Sequence, residues 1–208
     1  ADDELPLVGV TLLYRRGYGR QHLDKNGIQT ETYRDLDPAK HLKDTGVILS
    51  LPLDGKELLA RVWKAEIRGV TGHTVPVFFL DTFHPENSER HLNLGLTLYG
   101  GDDWVRIRQE YLLGVGGVRL LEQMGYDVDG LHLNEGHCTF ALLEMLGKGW
   151  SREELAKRVL FTTHTPVPAG HDRFQWGDVE EVLGELMPKD AQQLVIDAGD
   201  PENGEWIS

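Results

Sequence analysis

The stretch Val128–Thr165, "VDGLHLNEGHCTFALLEMLGKGWSREELAKRVLFTTHT", decides the fold class. "GLHL" is a short apolar strand, and "HCTFALLEMLGKG" has helical spacing and stops on Gly-Lys-Gly. Ser151 followed by Glu154 is a capping box that opens a second helix. That helix runs into "RVLFTT", a second strand. Two strands joined by helices imply a parallel pair, so this half of the chain is α/β. Upstream, Trp104–Met124 places Leu112, Leu113, Leu120 and Leu121 at helical intervals. Its glycines Gly114, Gly116 and Gly117 resemble a dinucleotide fingerprint. That motif must follow a strand and open a helix, whereas here a helical run precedes it. The glycines are therefore read as small residues for close helix packing, and no nicotinamide cofactor is expected.

The first half has a different pattern. Pro6–Arg15 is an apolar, β-branched strand that ends in the turn-rich "RGYGRQ". Asp54-Gly55 between "VILSLPL" and "ELLARVWKAEIRGV" signals a tight hairpin. Val75–Thr82 is a continuous apolar run, the mark of a strand covered on both faces. The expectation is an α/β chain with a mixed sheet and a hairpin-rich first half. No linker interrupts it, so one mixed domain is expected rather than two.

Bulk composition narrows the partners. The 208 residues carry 21 Lys and Arg against 34 Asp and Glu, a formal charge of −13. Such a chain repels phosphate backbones and anionic lipid, so neither nucleic acid nor membrane is an expected partner. The single cysteine, Cys138, fits a reducing cytoplasm. "ADDELPLVGV" lacks the features of a signal peptide. The chain starts close to a strand and ends on "GEWIS" without a cap, as a piece of something longer would.

In open α/β sheets ligands sit beyond the carboxyl ends of the strands. Two loops fall there: Asn134–His137, "NEGH", and His164–His171, "HTPVPAGH", stiffened by Pro166 and Pro168. They read either as a preorganised polar site or as a helix start and a surface turn. His132, Glu135, His137, His164 and His171 have no zinc-motif spacing, and His132 is expected to be a satisfied core histidine, so no metal is expected. Asp102 and Asp103 precede a helix, where carboxylates are stabilised by the helix N-terminus. They could equally accept hydrogen bonds from sugar hydroxyls, with Tyr99 and Trp104 as aromatic walls.

Four blocks, "LYRRGYGRQHLDKNGIQTE", "LYGGDDWVRIRQEYLLGVGGVRLLEQMG", "HLNEGH" and "FTTHTPVPAGHDRF", together resemble the α-glucan (glycogen or maltodextrin) phosphorylases, in the family's order from Val8 to Phe174. The resemblance implies the Rossmann-like N-terminal half of a GT-B glycosyltransferase fold. It implies phosphorolysis of α-1,4-glucan to glucose 1-phosphate with retention, with inorganic phosphate as co-substrate. Pyridoxal 5′-phosphate would serve the full-length protein, which would form a homodimer. By the same resemblance His164 is the catalytic histidine against the glucosyl unit. Glu135 backs it, Asn134 and His137 share its motif, and Asp102 and Asp103 lie in a loop that contacts the sugar. The cofactor's lysine would belong to a second domain outside these residues, leaving the 208 residues inactive alone. Two positions depart from the family: Asp103 replaces an asparagine of the animal enzymes, in a shorter loop, and Gly19 stands where phenylalanine is expected. The competing readings are a non-catalytic carbohydrate-binding module and a metal-dependent hydrolase.

Overall fold

The computed structural model describes residues 3–98, 100–167, 172–184 and 206–207. Tyr99, Pro168 and His171, singled out above, lie outside the described residues. The expected mixed domain packs as two compact units, Ala1–Ser50 with Glu57–Gly101 and Leu51–Lys56 with Asp102–Ser208. The boundary crosses a continuous strand pair instead of a linker, so composition carries no trace of it.

The first unit holds β1 (Gly9–Leu12), β2 (Arg20–Leu23), β3 (Gln29–Thr32), most of β4 (Lys43–Leu53) and of β5 (Lys56–Arg68), β6 (Thr74–Asp81) and α1 (Glu89–Asn93), the tip of the β4–β5 hairpin belonging to the second. Its main sheet has the order β1-β6-β5-β4. β1 runs parallel to β6, with Gly9 opposite Val77 and Leu12 opposite Leu80, while β5 is antiparallel to β6. The sheet is therefore mixed, as expected. β4 and β5 are joined by Asp54-Gly55 alone, at φ 54° and 68°. Both residues are left-handed, which a two-residue hairpin with the right twist requires. Leu58, Ala60, Val62, Phe78 and Leu80 are buried and supply this unit's apolar core.

At the carboxyl end of β6, Asp81 is fully buried and paired with Arg15 at 2.6 Å. It also accepts from Trp63 Nε1 at 2.9 Å and from Phe83 N at 3.0 Å. A buried charge is tolerable only when paired and hydrogen-bonded in this way. The β2–β3 hairpin is exposed throughout. A Cβ built on Gly19 would meet the Tyr33 ring at 3.1 Å, so Tyr33 occupies the room beside this residue.

The second unit is built on α2 (Asp103–Gln123), followed by β7 (Leu131–Asn134), α3 (Phe140–Gly147), α4 (Arg152–Arg158), β8 (Val159–Thr162), β9 (Phe174–Gln175), α5 (Trp176–Leu183) and β10 (Trp206–Ile207). The Ser151–Glu154 capping box is formed in full at the start of α4. β7 and β8 pair in parallel, Leu131 opposite Val159 and Asn134 opposite Thr162. His132 departs from expectation: it is exposed, with Nε2 2.8 Å from Thr162 Oγ1. On β7 Leu131 and Leu133 face the core, so the alternation of the strand carries His132 to the open face.

Arg108, 1% exposed, ties α2 to its neighbours. It donates to Asp54 from Nε at 2.9 Å and from a terminal nitrogen at 2.6 Å, to Glu181 on α5 at 2.9 Å and to Trp104 O at 3.2 Å. Removing one partner of such a buried pair costs about 3–5 kcal/mol, because the other charge is left stranded. The guanidinium also stacks 3.9 Å from the Trp104 ring centre, so one face of that ring is taken and cannot line a sugar.

Gly114 shows why α2 carries glycine. A Cβ there would lie 2.7 Å from Ala141 N and 3.0 Å from Phe140 Cβ, so α3 approaches α2 too closely for a side chain. Alanine would ordinarily gain about 0.5–1 kcal/mol over glycine in a helix. Forcing a methyl against backbone costs about 1–3 kcal/mol, so overpacking wins. Gly114→Ala is expected to lower the urea midpoint at unchanged m-value; an unchanged or higher midpoint would show that the helices part freely.

Candidate active site

The site grows out of the β7–β8 register. Because Asn134 stands opposite Thr162, the two chains leave the sheet side by side, and Glu135 N donates to Thr162 O at 2.8 Å. Glu135 then turns into the left-handed region, φ 58° and ψ −171°, a conformation otherwise almost confined to glycine. The turn aims its buried carboxylate (3% exposed) across at the second strand end. Oε1 accepts from His164 N at 2.9 Å and from Thr165 Oγ1 at 2.8 Å. The His164 imidazole returns the contact, with Nε2 3.1 Å from Asn134 Oδ1 and Nδ1 3.4 Å from Glu135 Oε1. Its side chain is 61% exposed and free to face a ligand.

Hydrogen bonds from the His164 backbone N–H and then the Thr165 hydroxyl hold the Glu135 carboxyl down at about 2. Glu135 is thus a fixed anion whose work is to orient the His164 segment.

A second polar cluster adjoins the first. Arg106 on α2 donates to Asp172 at 2.5 Å and lies 3.3 Å from His137 Nδ1. Glu110, one turn further along α2, completes it: Glu110, His137 and Asp172 present ligand atoms within 4.8 Å of one another. Burial lowers the His137 imidazole, and the Arg106 charge lowers it further, against the pull of Asp172 and Glu135. Burial alone would raise Asp172, but the Arg106 hydrogen bond and charge outweigh it and hold it low. The trio could be mistaken for a cation site, yet Arg106 already supplies the positive charge there.

The structure thus brings Asn134, Glu135, His137 and His164 to the strand ends. Asp102 and Asp103 stay at the start of α2: Asp102 is its N-cap, accepting from Val105 N at 3.1 Å, and Asp103 sits in its first turn. Sequence reasoning passed over Thr165, Arg106, Glu110 and Asp172. The i, i+4 spacing of Arg106 and Glu110 on an otherwise buried helix was the available signal.

Glu135 gives a pH test. Its folded value, about 2, lies below the ordinary 4.5. Its contribution is therefore complete above about 4.5 and is lost as pH falls towards about 2. Glu135→Gln should flatten the acid limb of the unfolding midpoint across that window. An acid limb as steep as wild type would mean that the carboxylate does not make these hydrogen bonds.

No protein-family model matches the chain. Among curated proteins, it is 35% identical over 91% of its length to a maltodextrin phosphorylase of Thermococcus litoralis. It is 37% identical over 84% to a glycogen phosphorylase of Mycobacterium tuberculosis, and 32% identical over 94% to a glycogen phosphorylase of Aquifex aeolicus. The chain spans 24%, 22% and 30% of those relatives' own lengths. No helix among the described residues is long and apolar enough to cross a membrane. With nearly the whole of its sequence aligned to them, this chain belongs to the maltodextrin and glycogen phosphorylase family.

Proposed function

We propose that these residues form the glucan side of the active site of an α-glucan phosphorylase, within the N-terminal half of a GT-B fold. The observation that carries this is the meeting of Asn134, Glu135 and His164 at adjoining parallel strand ends, with the imidazole exposed and its backbone locked by a buried anion. A preorganised donor and acceptor pair on rigid strand ends is what a hexose site needs, since reorganisation is then not required during reaction.

In the proposed reaction an α-1,4-glucosidic bond breaks, phosphate takes the glucosyl unit and configuration is retained. Positive charge develops at the anomeric carbon and the ring oxygen. His164 and Asn134 hold the hydroxyls of the sugar, while Glu135 keeps His164 from turning away. Asp102 and Asp103 are assigned to the neighbouring loop, with Asp102 tied to capping α2 and Asp103 the freer to meet a sugar hydroxyl.

Pyridoxal phosphate, which the family implies for the full-length protein, does not fit the residues present. Asn134, Glu135, His137, His164, Glu110 and Asp172 supply acids, an amide and imidazoles, and no lysine stands among them to form a Schiff base. Its lysine and phosphate donors are assigned to a second domain of a longer, cytoplasmic, homodimeric protein, and no step is routed through it here.

The test uses the full-length protein. His164→Ala is expected to lower kcat/KM for phosphorolysis of maltooligosaccharide roughly thirtyfold to a thousandfold, the loss of about 2–4 kcal/mol of transition-state stabilisation. Wild-type turnover in that variant would remove His164 from the chemistry.

A further inference from the structure

Glu110 is the one acid of the second cluster without a cation of its own. It is 6% exposed, and its Oε1 has no hydrogen-bond partner among the described residues. Carboxylate oxygens of Glu110 and Asp172 lie within 4.8 Å of each other, beside His137. The Arg106 guanidinium is committed to Asp172 at 2.5 Å and reaches Gln109 Oε1 at 3.3 Å. Two carboxyls this close, one of them 6% exposed, disfavour each other's ionisation, and among the described residues only Asp172 has a direct ion pair to offset its charge. The proton therefore rests on Glu110, which donates to Asp172.

Arg106 holds Asp172 to α2, and Asp172 Oδ2 lies 3.8 Å from His137 Nδ1. We infer that Glu110 is a positioning residue that stays protonated in the working protein and, by donating to Asp172, fixes the Arg106–Asp172 pair and with it the orientation of His137. This deepens the phosphorylase reading and rests on it for the link to turnover.

Burial, with the neighbouring Asp172 charge, pushes the Glu110 carboxyl up to about 9 against the opposing pull of Arg106. The groups that face it are Asp172, Arg106, His137 and the Cys138 thiol, which burial raises and the Glu110 charge would raise further. The sign follows. Between about 4.5 and about 9 the folded protein keeps a proton that the unfolded chain has released, so stability falls with pH across that window and levels above it.

In the full-length protein, Glu110→Gln retains a neutral donor and is expected to keep most of the turnover. Glu110→Ala should lose about tenfold or more in kcat, with KM for glucan little changed, because a misplaced side chain beside the reacting sugar costs rate before binding. An infrared difference spectrum of wild type against Glu110→Gln at pH 7 should show the carbonyl band of a protonated carboxylic acid. The unfolding midpoint of Glu110→Gln should gain on wild type as pH rises from 5 to 9. A missing band, a midpoint gap that does not change with pH, or a glutamine variant as slow as the alanine one would each overturn the inference. The band and the midpoints need no substrate, so they stand apart from a failure of the phosphorylase reading, which would appear as unaltered phosphorolysis in His164→Ala.

Discussion

The site hangs on one carboxylate. Glu135 leaves β7 in a left-handed conformation that a non-glycine residue holds only when its surroundings over-determine it. What over-determines it is the pair of donors on the other strand, His164 N and Thr165 Oγ1. The strain and the hydrogen bonds define each other. Without the turn the carboxylate would not reach across, and without the donors the turn would relax. The exposed imidazole of His164 is therefore set by a contact that is itself buried.

The same logic organises the rest of the second unit. α2 is buried along most of its length, yet carries Arg106, Arg108, Gln109 and Glu110 inward. Three of these meet a partner supplied from far along the chain, Asp172 for Arg106 and Glu110 and both Asp54 and Glu181 for Arg108, while Gln109 accepts from Arg106 one turn away. A helix that sinks this many polar groups gains little from them in net stability, since desolvation consumes most of the attraction. Their effect is on specificity of arrangement, because each pairing has one geometry that satisfies it. Gly114 adds a steric counterpart, letting α3 close on α2 at a separation that a methyl would prevent.

Acid chemistry divides accordingly. Glu135 is an anion in a nest of donors, and Asp172 is an anion against a guanidinium. Glu110 is a neutral acid in the dry space beside them. Three carboxyls in adjoining positions thus hold three different roles, set by hydrogen bonding, charge and burial in turn. That separation lets three acids adjoin without loading the site with uncompensated charge.

By itself the sequence determined whatever depends on near neighbours. Asp54-Gly55 needs only two left-handed residues to make its hairpin, and Ser151 and Glu154 need only each other to cap α4. The apolar spacing of α2 and the strand–helix–helix–strand order of Val128–Thr165 were legible for the same reason, and the family's blocks named the residues at the strand ends. Tertiary structure alone decided what depends on distant ones. Arg106 and Asp172 lie 66 residues apart, and nothing local announces their pairing. One face of Trp104 was taken by Arg108, His132 was turned outward, and the compact units were divided across a hairpin tip. Whether a carboxyl is an anion or an acid is fixed by the water and charge around it, and only the packed chain says how much of either is there.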